Sequence, residues 1–525
     1  MNPSQLRTFL SWTVCVGLCL VKMAQGEVFT AITEMEELLD TEAQFISNLE
    51  SYIHALDQKI SLLKGQADDY RTKHQIAQKD TAGYVSNPIN AFLLTKRLAR
   101  DWESIESVVT RDLSAEFISK MVAHKKYHKI PTDEDLNGAA VALARLQETY
   151  KLNTTNVANG ELNGVKYSSP MTSNDCFEMG RQLYLSKDYY YTISWIGEAM
   201  DRLAIDRNSN NSLTEILEYL SMAWSDQGNT VRALQYTRQL LDVSPNHEAA
   251  MKNEKKLENL LKEGGGRSTF ENEPHHKPKS NETLTYEMLC RKEISMSPAV
   301  ASKLKCKYVT NRSPFLKIAP LKLEEANLEP YIVVYHDVMF DSEIDFIKEL
   351  AKPRFKRATV GNNKHGLGVV ADYRISKSAW LEDKEHKILQ QISRRVEDMT
   401  GLISEKSEKL QVVNYGIGGY YVPHLDFKKD SELFQSVGSV GNRIVTVLFY
   451  MSDVLEGGAT VFPALNVALW PKKGSAAFWY NFLESGKGDL STLHAACPVL
   501  IGSKWVSTKW LHEIKQHFLR PYKLW

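Results

Sequence analysis

The hydrophobic period of this chain changes once, near residue 286, and that change restricts its fold more than any other feature. Upstream, apolar residues recur at three- and four-residue intervals, the mark of amphipathic helices. Downstream they gather in short β-branched and aromatic runs set apart by turns. A chain written this way predicts all-α modules followed by one sheet-rich α+β domain. Its 525 residues exceed one ordinary core, so several domains are expected.

The first helical region carries the steadiest stripe. Ile46, Leu49, Ile53, Leu56, Ile60 and Leu63 alternate by three and four, and Ile32 and Leu39 extend the pattern upstream. Such a seam fits a coiled coil, a long helical hairpin, or one amphipathic helix packed on its own domain. Residues 92–118 continue in helical style beyond Asn87-Pro88, so 27–150 is read as a helical, coiled-coil-like dimerisation domain. Asn, Thr, Ser and Gly dominate 153–173, which reads as a linker.

From 171 to 262 the spacing fits tetratricopeptide-like units. Leu220-Ser221-Met222-Ala223-Trp224, Gln227-Gly228-Asn229, Ala233, Leu240 and Pro245-Asn246 make one; Glu178-Met179-Gly180, Lys187-Asp188-Tyr189 and Ala199 make a looser copy. Two copies are too few for a free solenoid, so flanking helices must cap them. The module is aromatic (Tyr184, Tyr189, Tyr190, Tyr191, Trp195, Tyr219, Trp224, Tyr236), which suits a groove for Pro-rich segments in polyproline II form. Residues 263–285, with Gly264-Gly265-Gly266 and a solvated His275-His276, read as a flexible linker.

Strand-like runs in 286–525 include 411–415, 444–450 and 476–480, with turns at Gly416–Gly419, Gly457-Gly458 and Lys472-Lys473-Gly474. Helices are expected near 342–350 and 384–400. Short strands at this spacing predict a double-stranded β-helix, or jelly-roll, core.

Charge and leader narrow the function classes. Lys+Arg and Asp+Glu are both 64, which removes the electrostatic case for nucleic acid or an anionic membrane. Residues 1–26 read as a signal peptide: Arg7, an apolar stretch over 9–21, then Ala24-Gln25-Gly26. The stretch is shorter than a span needs, and no other segment is long and apolar enough, so no membrane span is expected. A soluble, lumenal protein of the secretory pathway follows. Cys290 and Cys306 flank a compact segment and are expected to close a small disulfide loop, which an oxidising compartment preserves. Asn153, Asn210 and Asn281 sit in glycosylation sequons, as does Asn311, which Pro314 weakens. The chain ends Tyr522-Lys523-Leu524-Trp525 without a retention signal, so a partner is expected to hold it in the endoplasmic reticulum lumen.

His424-Leu425-Asp426 carries the chemistry. Two residues apart on a strand, both side chains point to one face and reach one metal. A facial triad of two His and one carboxylate leaves positions open for substrate and O2, which calls for a second His on another strand. His494, some 70 residues on, fills that role. Lys504 follows ten residues later, the cation that a dicarboxylate cosubstrate needs at its far end.

At this point long strings resemble the alpha subunit of collagen prolyl 4-hydroxylase. They are 415–427 (Tyr415 to Phe427), Gly441-Asn442-Arg443-Ile444, Phe449 to Val454, Gly457 to Pro463, Trp470 to Gly474, His494 to Val499 and Lys504 to Glu513. The resemblance covers nearly the whole mature chain. It implies an Fe(II)- and 2-oxoglutarate-dependent dioxygenase that converts peptidyl proline in procollagen-like chains to 4-hydroxyproline, releasing succinate and CO2, with O2 consumed and L-ascorbate maintaining the iron. It implies His424, Asp426 and His494 as iron ligands, and Lys504 with Tyr415 and Thr460 around the distal carboxylate of 2-oxoglutarate. His512 is expected at the iron-side carboxylate; Tyr421, Arg443, Trp510, Arg374 and Ser376 along the proline-peptide groove; and Tyr184 and Tyr219 in the peptide-binding module. It further implies an α2β2 tetramer with protein disulfide isomerase as β subunit. The chain departs from the family at Met222 and Lys256, where Tyr is usual, at Tyr420 and Val422 beside the iron strand, and at Tyr522, where a Cys is expected to pair with Cys497. The same oxygenase chemistry on a different Pro-rich substrate is the alternative that these departures leave open.

Overall fold

A computed structural model describes residues 28–206, 212–264, 272, 279–310, 313–360, 369–428, 441–516 and 519–520. The expected leader, Asn210, Asn311, His275-His276 and Tyr522 lie outside them. Two compact units divide the chain: Glu34–Ile130, and Pro131–Trp525 together with Gly26–Thr33. Among the described residues no helix is long and apolar enough to cross a membrane.

The first unit is a helical hairpin. Helix α1 (Ile32–Lys79) is answered by α2 (Pro88–Lys96), α3 (Trp102–Thr110) and α4 (Ser114–Tyr127). Pro88 stands at the first helical position, where its missing N–H costs nothing, and Asn87 caps it. Tyr52 meets Phe117 at 5.4 Å and Tyr70 meets Trp102 at 5.6 Å, while Lys59 Nζ donates to the Val109 and Arg111 carbonyls. The intrachain seam therefore runs along Phe45, Tyr52 and Lys59, one position off the aliphatic stripe. Ile46, Leu49, Ile53 and Ile60 point outward.

In the second unit α5 (Asp133–Tyr150) leads into α6 (Ser173–Leu185), α7 (Tyr189–Leu203), α8 (Leu213–Asp226), α9 (Thr230–Val243) and α10 (Glu248–Lys262). Capping boxes start three of these: Thr132 with Asp135, Thr172 with Asp175, and Ser212 with Glu215. Small residues let the helices cross closely. A Cβ on Gly180 would stand 2.6 Å from the Ile196 side chain. Trp195, Ile196, Leu220 and Ala233 fill the core, each side chain of Leu or Ile size contributing roughly 1.5–3 kcal/mol by burial. Helix α5, counted with the N-terminal domain in the sequence reading, packs here on α6 and α7: Asn137 Nδ2 donates to Gln182 O at 2.8 Å and Trp195 Nε1 to Gln147 Oε1 at 2.8 Å.

The oxygenase portion starts at α11 (Asn281–Cys290) and includes α12 (Asp341–Ala351) and α13 (Lys387–Thr400). The strands of its two larger sheets are β1 (Cys306–Val309), β2 (Leu321–Asn327), β3 (Ile332–His336), β4 (Lys356–Arg357), β5 (Ser376–Leu381), β6 (Leu410–Tyr415), β7 (Tyr421–His424), β8 (Arg443–Tyr450), β9 (Thr460–Phe462), β10 (Val467–Leu469), β11 (Ala476–Tyr480), β12 (His494–Ala496) and β13 (Trp505–His512). A nine-stranded sheet runs β1-β2-β3-β11-β8-β13-β6-β5-β4, and a four-stranded sheet β7-β12-β9-β10. Helices α12 and α13 cover one face of the large sheet through Ile344, Ile347, Leu389, Ile392 and Val396. Its other face shares a core with the small sheet, joining Val413, Tyr450, Trp479 and Val506 to Phe462, Leu469 and Ala496. This is the expected jelly-roll sandwich.

One expectation is overturned. Cys290 bonds to Cys497, with Cα atoms 5.5 Å apart, and not to Cys306. Helix α11 buries Tyr286, Leu289 and Cys290 against Ala459, Val461, Ala495 and Cys497, so its final residue faces β12. Cys306 begins edge strand β1 and is an exposed thiol. Cys497 therefore has a partner without a Cys at position 522.

Candidate metal centre and cosubstrate cavity

Period-two alternation builds the site. On β13 and just before it, Lys504, Val506, Thr508, Trp510 and His512 all reach one cavity of about 580 Å³. Gln411, Val413 and Tyr415 of β6 join them, with Thr446 and Leu448 of β8 and Trp479 of β11. The small sheet supplies the opposite wall: Tyr421, His424, Thr460 and His494. Lys509 belongs to the other face of β13 and pairs with Asp383 at 3.0 Å.

His424 and His494 are direct register partners on β7 and β12, with ring centroids 4.4 Å apart. A carbonyl accepts from Nδ1 of each, Val422 O at 2.8 Å and Thr492 O at 3.0 Å. A carbonyl can only accept, so Nδ1 carries the proton and Nε2 keeps its lone pair for a metal. Asp426 Oδ1 lies 3.9 Å from His424 Nε2, and Asp426 Oδ2 lies 3.7 Å from His494 Nε2. One potential ligand atom from each of the three residues falls within 4.8 Å of the others. Burial and the neighbouring His494 push the His424 imidazolium down to about 3. Burial opposes ionisation of Asp426, but His494, His424, Arg443 and the Trp510 N–H outweigh it and hold the carboxyl at about 2. Two neutral imidazoles and a carboxylate are the donor set for a facial 2-His-1-carboxylate iron centre, and the residues fit Fe(II).

The carboxylate is held in place by groups the sequence reading did not single out for it. Thr446 Oγ1 donates to Asp426 Oδ2 at 2.7 Å and Trp510 Nε1 donates to the same oxygen at 2.9 Å. Asn481, fully buried, donates to Thr446 Oγ1 at 3.1 Å. Both donors fall on Oδ2, which leaves Oδ1 for a metal. Trp510, expected along the peptide groove, is therefore also a prop of the triad.

Lys504 is 1% exposed, with its Nζ 4.9 Å from the Tyr415 ring centroid. Burial alone lowers its ammonium to about 7, and among the described residues no carboxylate pairs with it. A buried cation facing a cavity without a counter-charge fits an anionic ligand such as the far carboxylate of 2-oxoglutarate. Thr460 Oγ1 accepts from the Tyr450 hydroxyl at 2.9 Å, so its own proton is free to donate. Burial raises the Tyr415 phenol to about 12, keeping it a donor.

The cavity mouth carries Arg374, stacked on Tyr421 at 4.8 Å, and Tyr421 in turn stacks on His424 at 3.6 Å. Arg443 lies 3.9 Å over Trp510 and is gripped by Glu408, whose Oε2 accepts from Nη2 at 2.8 Å. Burial raises the Glu408 carboxyl, but His512 and Arg443 overcome that and bring it down to about 2. His512 reaches the cavity wall with Nδ1 on Gly441 O at 2.7 Å and Nε2 on Glu408 at 3.1 Å. Glu408 was missed because a lone Glu before a strand carries no sequence signal. Ser376, expected in the groove, is wholly buried on β5 beside Tyr415 and is absent from the cavity lining. In the repeat module, outside the cavity lining, Tyr184 and Tyr219 meet edge to face at 5.6 Å on α6 and α8, and Tyr184 donates to Asp226 at 2.7 Å.

Comparisons with known proteins agree with this geometry. Family models match for the prolyl 4-hydroxylase alpha-subunit N-terminal region over 31–164 and the prolyl 4-hydroxylase peptide-substrate-binding domain over 173–263. The 2OG-Fe(II) oxygenase superfamily matches over 410–512. The chain is 43% identical to prolyl 4-hydroxylase subunit alpha-1 of Bos taurus, covering 98% of this chain and 99% of that one. It is 42% identical to subunit alpha-2 of Gallus gallus over 96% of each, and 42% identical to subunit alpha-2 of Caenorhabditis elegans over 96% and 95%. With the triad and the unpaired lysine in one cavity, these likenesses assign the chain to the prolyl 4-hydroxylase alpha-subunit family, as a 2-oxoglutarate- and Fe(II)-dependent dioxygenase.

Proposed function

We propose that this chain hydroxylates proline at C4 within collagen-like, Pro-rich polypeptides. The observation that carries the reading is the pairing, in one cavity, of the His424, Asp426 and His494 donors with a buried lysine that no described carboxylate neutralises. His424, Asp426 and His494 would hold the iron. Lys504 would bind the distal carboxylate of 2-oxoglutarate, with Tyr415 and Thr460 donating hydrogen bonds beside it. Bound Fe(II) with 2-oxoglutarate and O2 supplies the oxidising power, and succinate and CO2 leave. Arg374, Tyr421, Arg443 and Trp510 would orient the proline ring at the mouth, Arg443 being held by Glu408. His512, both of whose ring nitrogens face protein acceptors, would act at the iron-side carboxylate by way of this network.

Tyr184 and Tyr219 would hold a polyproline II segment against the repeat module. Met222 is half-buried and Lys256 exposed, so the wall that elsewhere carries four tyrosines keeps two aromatic faces here. The outward stripe of α1 would join two copies of the chain, and protein disulfide isomerase would complete an α2β2 assembly that retains it in the endoplasmic reticulum lumen. L-ascorbate would restore iron oxidised without substrate. Asn153 and Asn281 are exposed sequon residues and would carry glycans; Asn153 uses Oδ1 to cap a helix, leaving Nδ2 for the sugar.

The test is succinate release from the chain expressed with disulfide isomerase, using (Pro-Pro-Gly) repeats against unrelated Pro-rich peptides. Turnover on the repeats with 4-hydroxyproline formed is the expected result. Turnover on the other peptides alone would move the reading to a different Pro-rich substrate.

A further inference from the structure

Residues 28–33 belong to the oxygenase-bearing unit, while the hairpin unit begins at Glu34. Val28–Thr30 forms a short 3-10 turn, and Thr30 and Ala31 are fully buried. The Phe29 carbonyl accepts from the Ile417 N–H at 2.9 Å, in the turn that joins β6 to β7. A Cβ on Gly416 would lie 2.0 Å from that carbonyl oxygen and 2.4 Å from the Thr30 carbonyl carbon, so glycine is required for the approach. The Phe29 ring sits on Gly138 of α5, where a Cβ would stand 2.3 Å away.

Asn414 links this segment to the cavity. It is fully buried and points to the face of β6 opposite Tyr415. Its Oδ1 accepts from Thr33 N at 3.3 Å, and Thr33 Oγ1 stands 3.5 Å from the same oxygen. Its Nδ2 donates to the Lys504 carbonyl at 3.3 Å and to Ser503 Oγ at 3.4 Å. Tyr415 N donates to the same Lys504 carbonyl at 3.2 Å. The Lys504 carbonyl thus accepts from both the Tyr415 N–H and the Asn414 amide, and that amide is oriented by Thr33.

We propose that Val28–Thr33 is a positioning strap for the 2-oxoglutarate end of the cavity, acting through Asn414 on Lys504 and Tyr415. The inference rests on the reading of Lys504 as the dicarboxylate anchor. Without the donors of Thr33, the buried Asn414 oxygen is unsatisfied and the amide is free to turn, leaving the Lys504 carbonyl held by the Tyr415 N–H alone.

Thr33→Pro in the full chain with its partner tests this. Position 33 lies in the first turn of α1, where the N–H is unused by the helix and proline is tolerated. Phe29→Ala, which loosens the strap from α5, is a second, independent variant. The readouts are 2-oxoglutarate affinity by calorimetry on Mn(II)-loaded enzyme, which does not turn over, metal content, Tm, and KM for 2-oxoglutarate against KM for peptide. Expected is an affinity about 5- to 30-fold weaker, with a matching rise in the 2-oxoglutarate KM. Metal content, peptide KM and kcat should stay within about twofold. Affinity unchanged in both variants would overturn the strap, as would parallel loss of metal and peptide binding. Lys504→Met separates the two readings: unchanged affinity there removes the anchor itself, whereas weakened affinity there with none in Thr33→Pro removes only the strap.

Discussion

Ile46, Leu49, Ile53 and Ile60 stand 47–51% exposed along α1, whereas Lys504, Lys509, Asn414 and Ser507 are at most 1% exposed in the oxygenase. One unit leaves apolar groups in water and the other takes polar groups out of it. Either arrangement is costly alone, and each marks a place where something else is required. Lys504 and Lys509 make the point on a small scale. They lie five positions apart, on opposite faces of β13 and its approach. Lys509 is answered by Asp383 at 3.0 Å, and burial still pushes its ammonium down. Lys504 has only a cavity in front of it. The first completes an ion pair within the fold; the second lines the cavity, where the proposed function has it meet a ligand's charge.

Removing a donor from the triad should have the largest effect. Asp426→Ala takes away the one anion between two imidazoles and leaves the Trp510 N–H with no acceptor. Iron content should fall and succinate release drop by about a hundredfold or more. Retained turnover with full iron content would break the assignment of the polar interior as the metal site.

The exposed stripe comes next. Ile46→Asp with Ile53→Asp puts charge into the outward face of α1 while leaving the Tyr52–Phe117 and Tyr70–Trp102 contacts of the hairpin untouched. The helical content should persist and the sedimentation coefficient should fall as the proposed pair of chains separates. Each isoleucine withdrawn from a buried interface loses roughly 1.5–3 kcal/mol, so the pair weakens association by a hundredfold or more. An unchanged sedimentation coefficient would mean that this stripe joins nothing.

Lys504→Met should weaken 2-oxoglutarate binding by about 10- to 150-fold, the worth of a charged hydrogen bond. Its pH behaviour is distinctive. The folded, unliganded chain releases the Lys504 proton near 7, below the ordinary lysine value, so between those two values the unfolded chain holds a proton that the folded one lacks. This group therefore adds stability as pH rises from about 7 toward 10, and Lys504→Met should flatten that rise. Binding of the dianion restores the ammonium, so calorimetry above pH 7 should show proton uptake in the parent and none in the variant.

Thr446→Val is milder, because Trp510 still donates to Asp426 Oδ2. Metal affinity should fall by about tenfold, with Tm little changed. A larger loss of stability than of metal would make Thr446 a core residue first.

These effects also separate what the residues announce from what only the fold assembles. The wall of 504, 506, 508, 510 and 512 is legible because strands alternate by two; the spacing of His424 and Asp426 also points to one metal, but β7 ends at His424 and Asp426 reaches the site from the bend that follows. The helical modules are legible through period and caps. Contacts between distant strands are not. Glu408, Thr446 and Asn481 gain their roles from sheet register and neighbours, and nothing in their local sequence marks them. The bridge from Cys290 to Cys497 spans 207 residues, so the short-range pairing with Cys306 looked favourable until α11 turned its last residue toward β12. The outward turn of Ile46 and Ile53 was equally hidden, since a stripe tells which residues share a face but not which face the next helix takes.

The smallest effect should come from the repeat module, where aromatic groups are half-exposed and neither unit's extreme applies. Tyr184 meets Tyr219 edge to face and Tyr189 at a tilt, and spends its hydroxyl on Asp226; burial, with that bond, raises its phenol above the ordinary value. Tyr184→Phe keeps the ring and removes one hydrogen bond near the surface, worth about 0.5–1.5 kcal/mol. If the ring face binds proline and the hydroxyl only fixes its angle, KM for long (Pro-Pro-Gly) peptides should rise by about two- to tenfold. KM for a short tripeptide, which occupies the cavity mouth alone, should not move, and neither should kcat. Equal shifts for short and long peptides would mean that Tyr184 acts through the oxygenase, and the module would lose its standing as a separate binding surface.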